Sequence, residues 1–92
     1  MSLGSLQSFD VELEALERVY NAGILLIAAA GNDGNTSLGF PASYPPVISV
    51  AALDEDKEVA SFSQRNSEVE LAAPGVSVRS TLPSDPSCEI CM

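Results

Sequence analysis

The sequence predicts an α/β chain, part of a doubly wound, mostly parallel sheet with one crossover helix. Three observations carry this. Apolar residues recur with helical spacing between Phe9 and Tyr20. A glycine, Gly23, then leads into an uninterrupted apolar run, Ile24-Leu25-Leu26-Ile27-Ala28-Ala29. A second such run, Val47-Ile48-Ser49-Val50-Ala51-Ala52, follows a turn-rich stretch. Strands without polar/apolar alternation are those covered on both faces, as in parallel sheets. Helix, tight glycine and buried strand make the second half of a β-α-β unit.

Taken in order, residues 1–5 read as a strand end and Ser5 to Ser8 as a loop. Ser8 or Asp10 is placed to cap the helix. Leu13, Leu16 and Tyr20 stand at i, i+3 and i+7, with Ala15 and Val19 four apart beside them. Glu12, Glu14 and Glu17 load the first half with acid, which complements the helix dipole. Gly23 suits the position that ends the helix. Residues 31–46 are turn chemistry: Gly31, Asn32, Gly34, Asn35, Gly39, Pro41, Pro45 and Pro46. After the second strand, Asp54 to Glu58 read as a solvated, charged turn. Ala60-Ser61-Phe62-Ser63 reads as a short extended piece. Leu71-Ala72-Ala73 leads into Pro74-Gly75, and Val76 to Leu82 reads as extended. From residue 84 the composition turns to Ser, Asp, Pro and Cys. The organisation expected is a domain portion over residues 1–83 and a tail or linker over 84–92.

Composition narrows the function classes. Ninety-two residues allow one small domain or part of a larger one, and 46% hydrophobic content is ordinary for a globular chain. Thirteen acids against four bases give a net charge of −9, which argues against nucleic acid and anionic membrane surfaces. No apolar run reaches the roughly 18 residues of a membrane span. Met1 to Ser5 has neither the basic flank nor the apolar core of a signal peptide. Cys88 and Cys91 stand as Cys-Glu-Ile-Cys. A single such pair, with no histidine in the chain, cannot complete a zinc site. A local or intermolecular disulfide and partners beyond residue 92 are the other readings.

The most informative segment is Ala28-Ala29-Ala30-Gly31-Asn32-Asp33-Gly34-Asn35. A buried apolar run ends abruptly in turn residues, which holds one carboxamide, Asn32, at the mouth of a strand. Its NH₂ group can donate a hydrogen bond to a developing oxyanion. Equally, Asn32 is a turn residue that tolerates left-handed backbone. The segment resembles a signature of the subtilisin-like serine proteases. Four further stretches resemble that family in the family's order: Ser2-Leu3-Gly4, Phe40-Pro41-Ala42-Ser43-Tyr44-Pro45, Ala60-Ser61-Phe62-Ser63 and Leu71-Ala72-Ala73-Pro74-Gly75-Val76. The resemblance covers about Met1 to Pro83.

The resemblance implies roles residue by residue. Asn32 would line the oxyanion hole. Ser2, Leu3 and Gly4 would lay backbone beside an extended peptide, where main-chain groups do the recognition. Ala29, Ala30 and Gly31 would wall the pocket for the residue before the scissile bond, with Gly39 at its base. Small residues there leave room for a large apolar side chain. Asp33 would add tolerance for a basic one at the rim. No cofactor is required, but the family carries a weak site for calcium or a monovalent cation. The matching positions here are the carbonyls of Ala42, Tyr44 and Val47 and the acids Glu68 and Glu70, oxygen donors suited to hard cations.

The same resemblance exposes what this chain lacks. The family's triad runs Asp, His, Ser along the sequence. The Asp and His would precede Met1, and the Ser would follow Leu82. With no histidine present, Ser61, Ser63 and Ser80 have no general base to activate them. The chain therefore reads as the part of a serine endopeptidase between His and Ser, inactive alone and completed by the remainder of the peptidase domain. Its substrate would be an extended polypeptide, and the parent protein would be secreted. The alternatives are a non-catalytic peptide-binding module and a non-functional truncation of a protease.

Overall fold

The computed structural model describes residues 1–81. The tail expected over 84–92, the boundary expected at residue 83 and a pairing of Cys88 with Cys91 lie outside those residues. The elements are helix α1 (Asp10–Asn21) and strands β1 (Leu26–Ala29), β2 (Val47–Leu53) and β3 (Val69–Pro74). The strands form one parallel sheet in the order β1-β2-β3. Leu26 pairs with Val47 and Ala29 with Val50, while Ser49 pairs with Val69 and Leu53 with Pro74. The expected α/β architecture, a helix with a parallel sheet, is the one observed; among the described residues no strand precedes α1, so the helix does not cross between two strands of this sheet.

The helix begins differently from the sequence expectation. Its N-cap is Phe9, and neither Ser8 nor Asp10 makes a side-chain cap. The Tyr44 hydroxyl substitutes: it accepts from the Phe9 N–H at 2.8 Å and lies 3.2 Å from the Phe9 carbonyl, to which it donates. A buried tyrosine from a later loop thus fastens the helix start, a long-range contact that local capping rules do not register. The helix ends as its glycine requires. Gly23 takes φ +86, its N–H bonds the Tyr20 carbonyl, and the Ile24 N–H bonds the Val19 carbonyl. This is the paired closure typical of a left-handed C′ glycine.

The core lies between α1 and the first strands. Ala28, Ala42, Tyr44 and Val47 are buried together, and Leu13, Leu16, Leu26 and Phe40 pack against them. Phe40 and Tyr44 rings lie 4.8 Å apart at 50°. Tyr20, expected on the same helix face, is exposed, and the half-buried positions of the helix are Leu13, Leu16 and Val19 instead.

The apolar run at 24–29 reads as covered on both faces, yet Ile24, Leu25 and Ile27 are exposed. Only the α1 side of β1 has a covering layer among the described residues. β3 is wholly exposed beyond Val69. Ala60 to Ser63 is not extended: Val59 bridges Leu53, and the chain then turns, with the Ser63 N–H bonding the Ala60 carbonyl. Val76 and Ser77 form a bend, and residues 78–81 form no strand. The charged turn is as expected, with the Asp54 carboxylate accepting from the Asp56 and Glu58 N–H groups.

Candidate active site

The site gathers at the carboxyl end of β1, the position where open α/β sheets form their crevices. Ala30 leaves the strand still tied to β2, its N–H bonding the Val50 carbonyl at 2.9 Å. Gly31 follows with φ +122, a conformation a side chain would strain. A Cβ on Gly31 would also collide with the Gln64 carboxamide. This double requirement explains why the apolar run ends in glycine. Asn32 comes next, exposed at the turn.

The opposite wall is the loop before β2. Gly39 is buried, and a Cβ there would stand 2.5 Å from the Ala30 carbonyl oxygen. The two backbones touch, and only glycine permits it. The third wall is the N-terminal segment. Ser5 and Phe40 exchange both backbone hydrogen bonds at 2.8 Å, an antiparallel bridge that lays residues 2–5 along the rim. Met1 reaches back to β1, where its carbonyl accepts from the Ala29 N–H.

These walls enclose a cavity of about 460 Å³. All eight residues singled out from the sequence for catalysis or substrate binding line it: Ser2, Leu3, Gly4, Ala29, Ala30, Gly31, Asn32 and Gly39. Asp33 lines it too. A larger cleft of about 800 Å³ lies over β3, lined by Leu38, Val59, Val69 and Leu71 among others. It is the more open of the two and contains none of those eight residues.

Sequence reasoning missed Gln64. It is 1% exposed and lines the cavity from behind. Its position, directly after Ala60-Ser61-Phe62-Ser63, offers no periodic or motif signal. The loop it belongs to also holds the turn through Gly34 N–H to the Phe62 carbonyl and Arg65 N–H to the Asn35 carbonyl.

The five residues matched to a cation site lie apart from this cavity. Ala42, Tyr44 and Val47 are buried at the start of β2, and the Tyr44 carbonyl accepts from the Val47 N–H at 3.0 Å. Ser49 pairs with Val69, which brings Glu68 and Glu70 alongside that part of the sheet. Both glutamates are exposed. Among the described residues no group of three or more His, Cys, Asp or Glu side chains converges as a metal site, so a cation here would depend on carbonyl oxygens. No helix among them is long and apolar enough to cross a membrane.

Fold and cavity together define an α/β protein with a ligand-sized crevice at the carboxyl end of a parallel strand. Residues 1–90 match the model of the subtilase family, Peptidase_S8. The chain belongs to the subtilase family of serine proteases. It is 45% identical over 89 residues to Subtilisin DY from Bacillus licheniformis, a match covering 92% of this chain and 32% of that protein. It is 48% identical over 81 residues to a thermostable alkaline protease from Halalkalibacterium halodurans, covering 88% of this chain and 22% of that protein. Among solved structures it resembles the psychrophilic subtilisin-like protease Apa1 from the Antarctic psychrotroph Pseudoalteromonas sp. AS-11. The TM-score is 0.78 at 52% identity, over 82% of this chain and 17% of that one. The chain therefore spans about a third or less of the length of these relatives.

Proposed function

We propose that this chain supplies the substrate-binding side of a subtilisin-like serine endopeptidase. The observation that carries the reading is the convergence of the eight predicted residues on one cavity. Ser2, Leu3 and Gly4 offer backbone to an extended polypeptide, in the manner of strand addition. Ala29, Ala30, Gly31 and Gly39 shape the pocket for the side chain before the scissile bond. Asn32 donates from its carboxamide to the carbonyl oxygen as that oxygen gains charge, favouring the tetrahedral state over the ground state.

The nucleophile and general base come from the remainder of the peptidase domain, and the chain alone does not turn over substrate. The uncovered faces of β1 and β3 support such a companion layer, because parallel sheets are ordinarily covered on both sides. Calcium or a monovalent cation at Ala42, Tyr44, Val47, Glu68 and Glu70 would brace the start of β2. The relative named Minor extracellular protease Epr, from Bacillus subtilis, supports a secreted parent.

The test is a hybrid in which residues 1–81 replace the matching segment of Subtilisin DY. Asn32→Ala in that hybrid lowers kcat about 10²–10³-fold with little change in KM, a magnitude known for loss of such a donor in a subtilisin and carried over from there. An active hybrid indifferent to Asn32→Ala would sink the oxyanion role.

A further inference from the structure

We infer that Gln64 is the positioning residue for Asn32, holding the turn that carries the oxyanion donor against the opposite wall of the cavity. The inference rests on the reading of Asn32 just given. Gln64 grips both neighbours of Asn32. Its backbone N–H donates to the Gly31 carbonyl at 3.1 Å, and its Oε1 accepts from the Asp33 N–H at 3.4 Å. Its Nε2 donates to the Ser37 carbonyl at 2.7 Å, in the loop that leads to Gly39. One side chain therefore ties the Asn32 turn to the far wall.

The burial makes the arrangement costly unless the polar contacts matter. A glutamine side chain is flexible and strongly hydrated, and enclosing it forfeits both rotamer freedom and water. An apolar side chain of equal length would fill the same space at less cost. Here the carboxamide at 1% exposure uses its oxygen and its nitrogen, each on a different wall. It also lies against the bare α-carbon of Gly31, where any side chain would displace it. Asn32 itself is exposed, so its own surroundings do little to fix it. An oxyanion donor works only when held in place before charge develops, and a shift of about 1 Å can cost on the order of 10²-fold in rate.

Gln64→Met keeps the length and volume and removes both side-chain hydrogen bonds. In the ¹⁵N-labelled 92-residue chain, the Asn32 backbone order parameter should fall from about 0.85 to below about 0.6, with β2 unchanged. An Asn32 amide that stays as rigid as β2 overturns the inference. In the Subtilisin DY hybrid, Gln64→Met should lower kcat about tenfold at nearly constant KM, and have no effect when Asn32 is already alanine. Equal penalties in both backgrounds would mean a general structural role and overturn positioning. Should Asn32→Ala alone leave kcat unchanged, the oxyanion reading fails and the order parameter decides Gln64. An inactive hybrid leaves the decision to the same measurement. If Gln64→Met does not fold, Gln64→Glu is read in the same assays, since it keeps the acceptor for Asp33 and loses the donor to Ser37.

Discussion

Replacing Gly39 by alanine sets two effects of opposite sign against each other. The Gly39 backbone does not lie in the left-handed region, so alanine fits its conformation. On that account alone the change stabilises by about 0.4–1 kcal/mol, through a less disordered unfolded chain. The added Cβ, however, stands 2.5 Å from the Ala30 carbonyl oxygen, 0.9 Å inside the 3.4 Å at which ordinary contact begins. Neither side yields readily. Ala30 is 2% exposed and bonded to Val50, and the Gly39 carbonyl is held by the Ser43 N–H at 2.8 Å. Overpacking between such fixed groups costs about 1–3 kcal/mol. The clash wins, with a net loss of about 1–2 kcal/mol. For a domain of this size that lowers Tm by about 4–16 °C. Thermal unfolding followed by far-UV circular dichroism measures it. In the Subtilisin DY hybrid the same methyl group should narrow the proposed substrate pocket, and selectivity for large apolar side chains over alanine should fall about tenfold. A Tm equal to or above that of the unsubstituted chain would refute the argument, because the entropic gain would then have exceeded the clash.

Tyr44→Phe keeps the ring against Phe40 and removes both hydrogen bonds to the Phe9 backbone. At about 1 kcal/mol per bond, partly replaced by water at exposed Phe9, the loss is about 1–2 kcal/mol. It should appear as a lower urea midpoint at unchanged slope, with faster hydrogen exchange at the start of α1. Calcium at 100 times its Kd should stabilise the chain by about 2.7 kcal/mol if the proposed cation site binds it. The paired substitution Glu68→Gln with Glu70→Gln should reduce that shift, and a shift unchanged by it would remove these acids from the site.

The fold was legible where burial writes a pattern. Leu13 and Leu16 at helical spacing found the core, Gly23 closed the helix, and Val47 to Ala52 became β2 with its buried residues alternating. Errors arose where a tertiary contact replaced a local one. Ser8 and Asp10 are good capping residues by type, yet the Tyr44 hydroxyl, 35 positions from Phe9, does the work. The run at 24–29 reads as doubly covered. That reading describes what the sequence is suited to, since Ile27 is 47% exposed in a strand of uniformly apolar residues. Leaving several large aliphatic side chains in water forgoes about 1.5–3 kcal/mol for each one that burial would recover. The mismatch between strand composition and observed exposure thus supports the proposed companion segments independently of any motif.

The site was legible for a different reason. Its walls are mostly backbone, and backbone proximity demands small residues, but it is the family resemblance that singles out Gly31 and Gly39 among the chain's small residues. Gln64 is invisible by the same logic. A polar residue that satisfies its hydrogen bonds internally needs no periodicity, and its buried position is set by Gly31, Asp33 and Ser37, all distant in sequence. The glycine at Gly31 is therefore half of a pair. Its missing side chain makes the space that the Gln64 carboxamide occupies. A substitution at either position disturbs the other, and Gly31→Ala should loosen the Asn32 turn even when Gln64 is untouched. Where a strand ends in glycine beside a candidate oxyanion donor, the question to put to the structure is which polar side chain fills the space that glycine leaves.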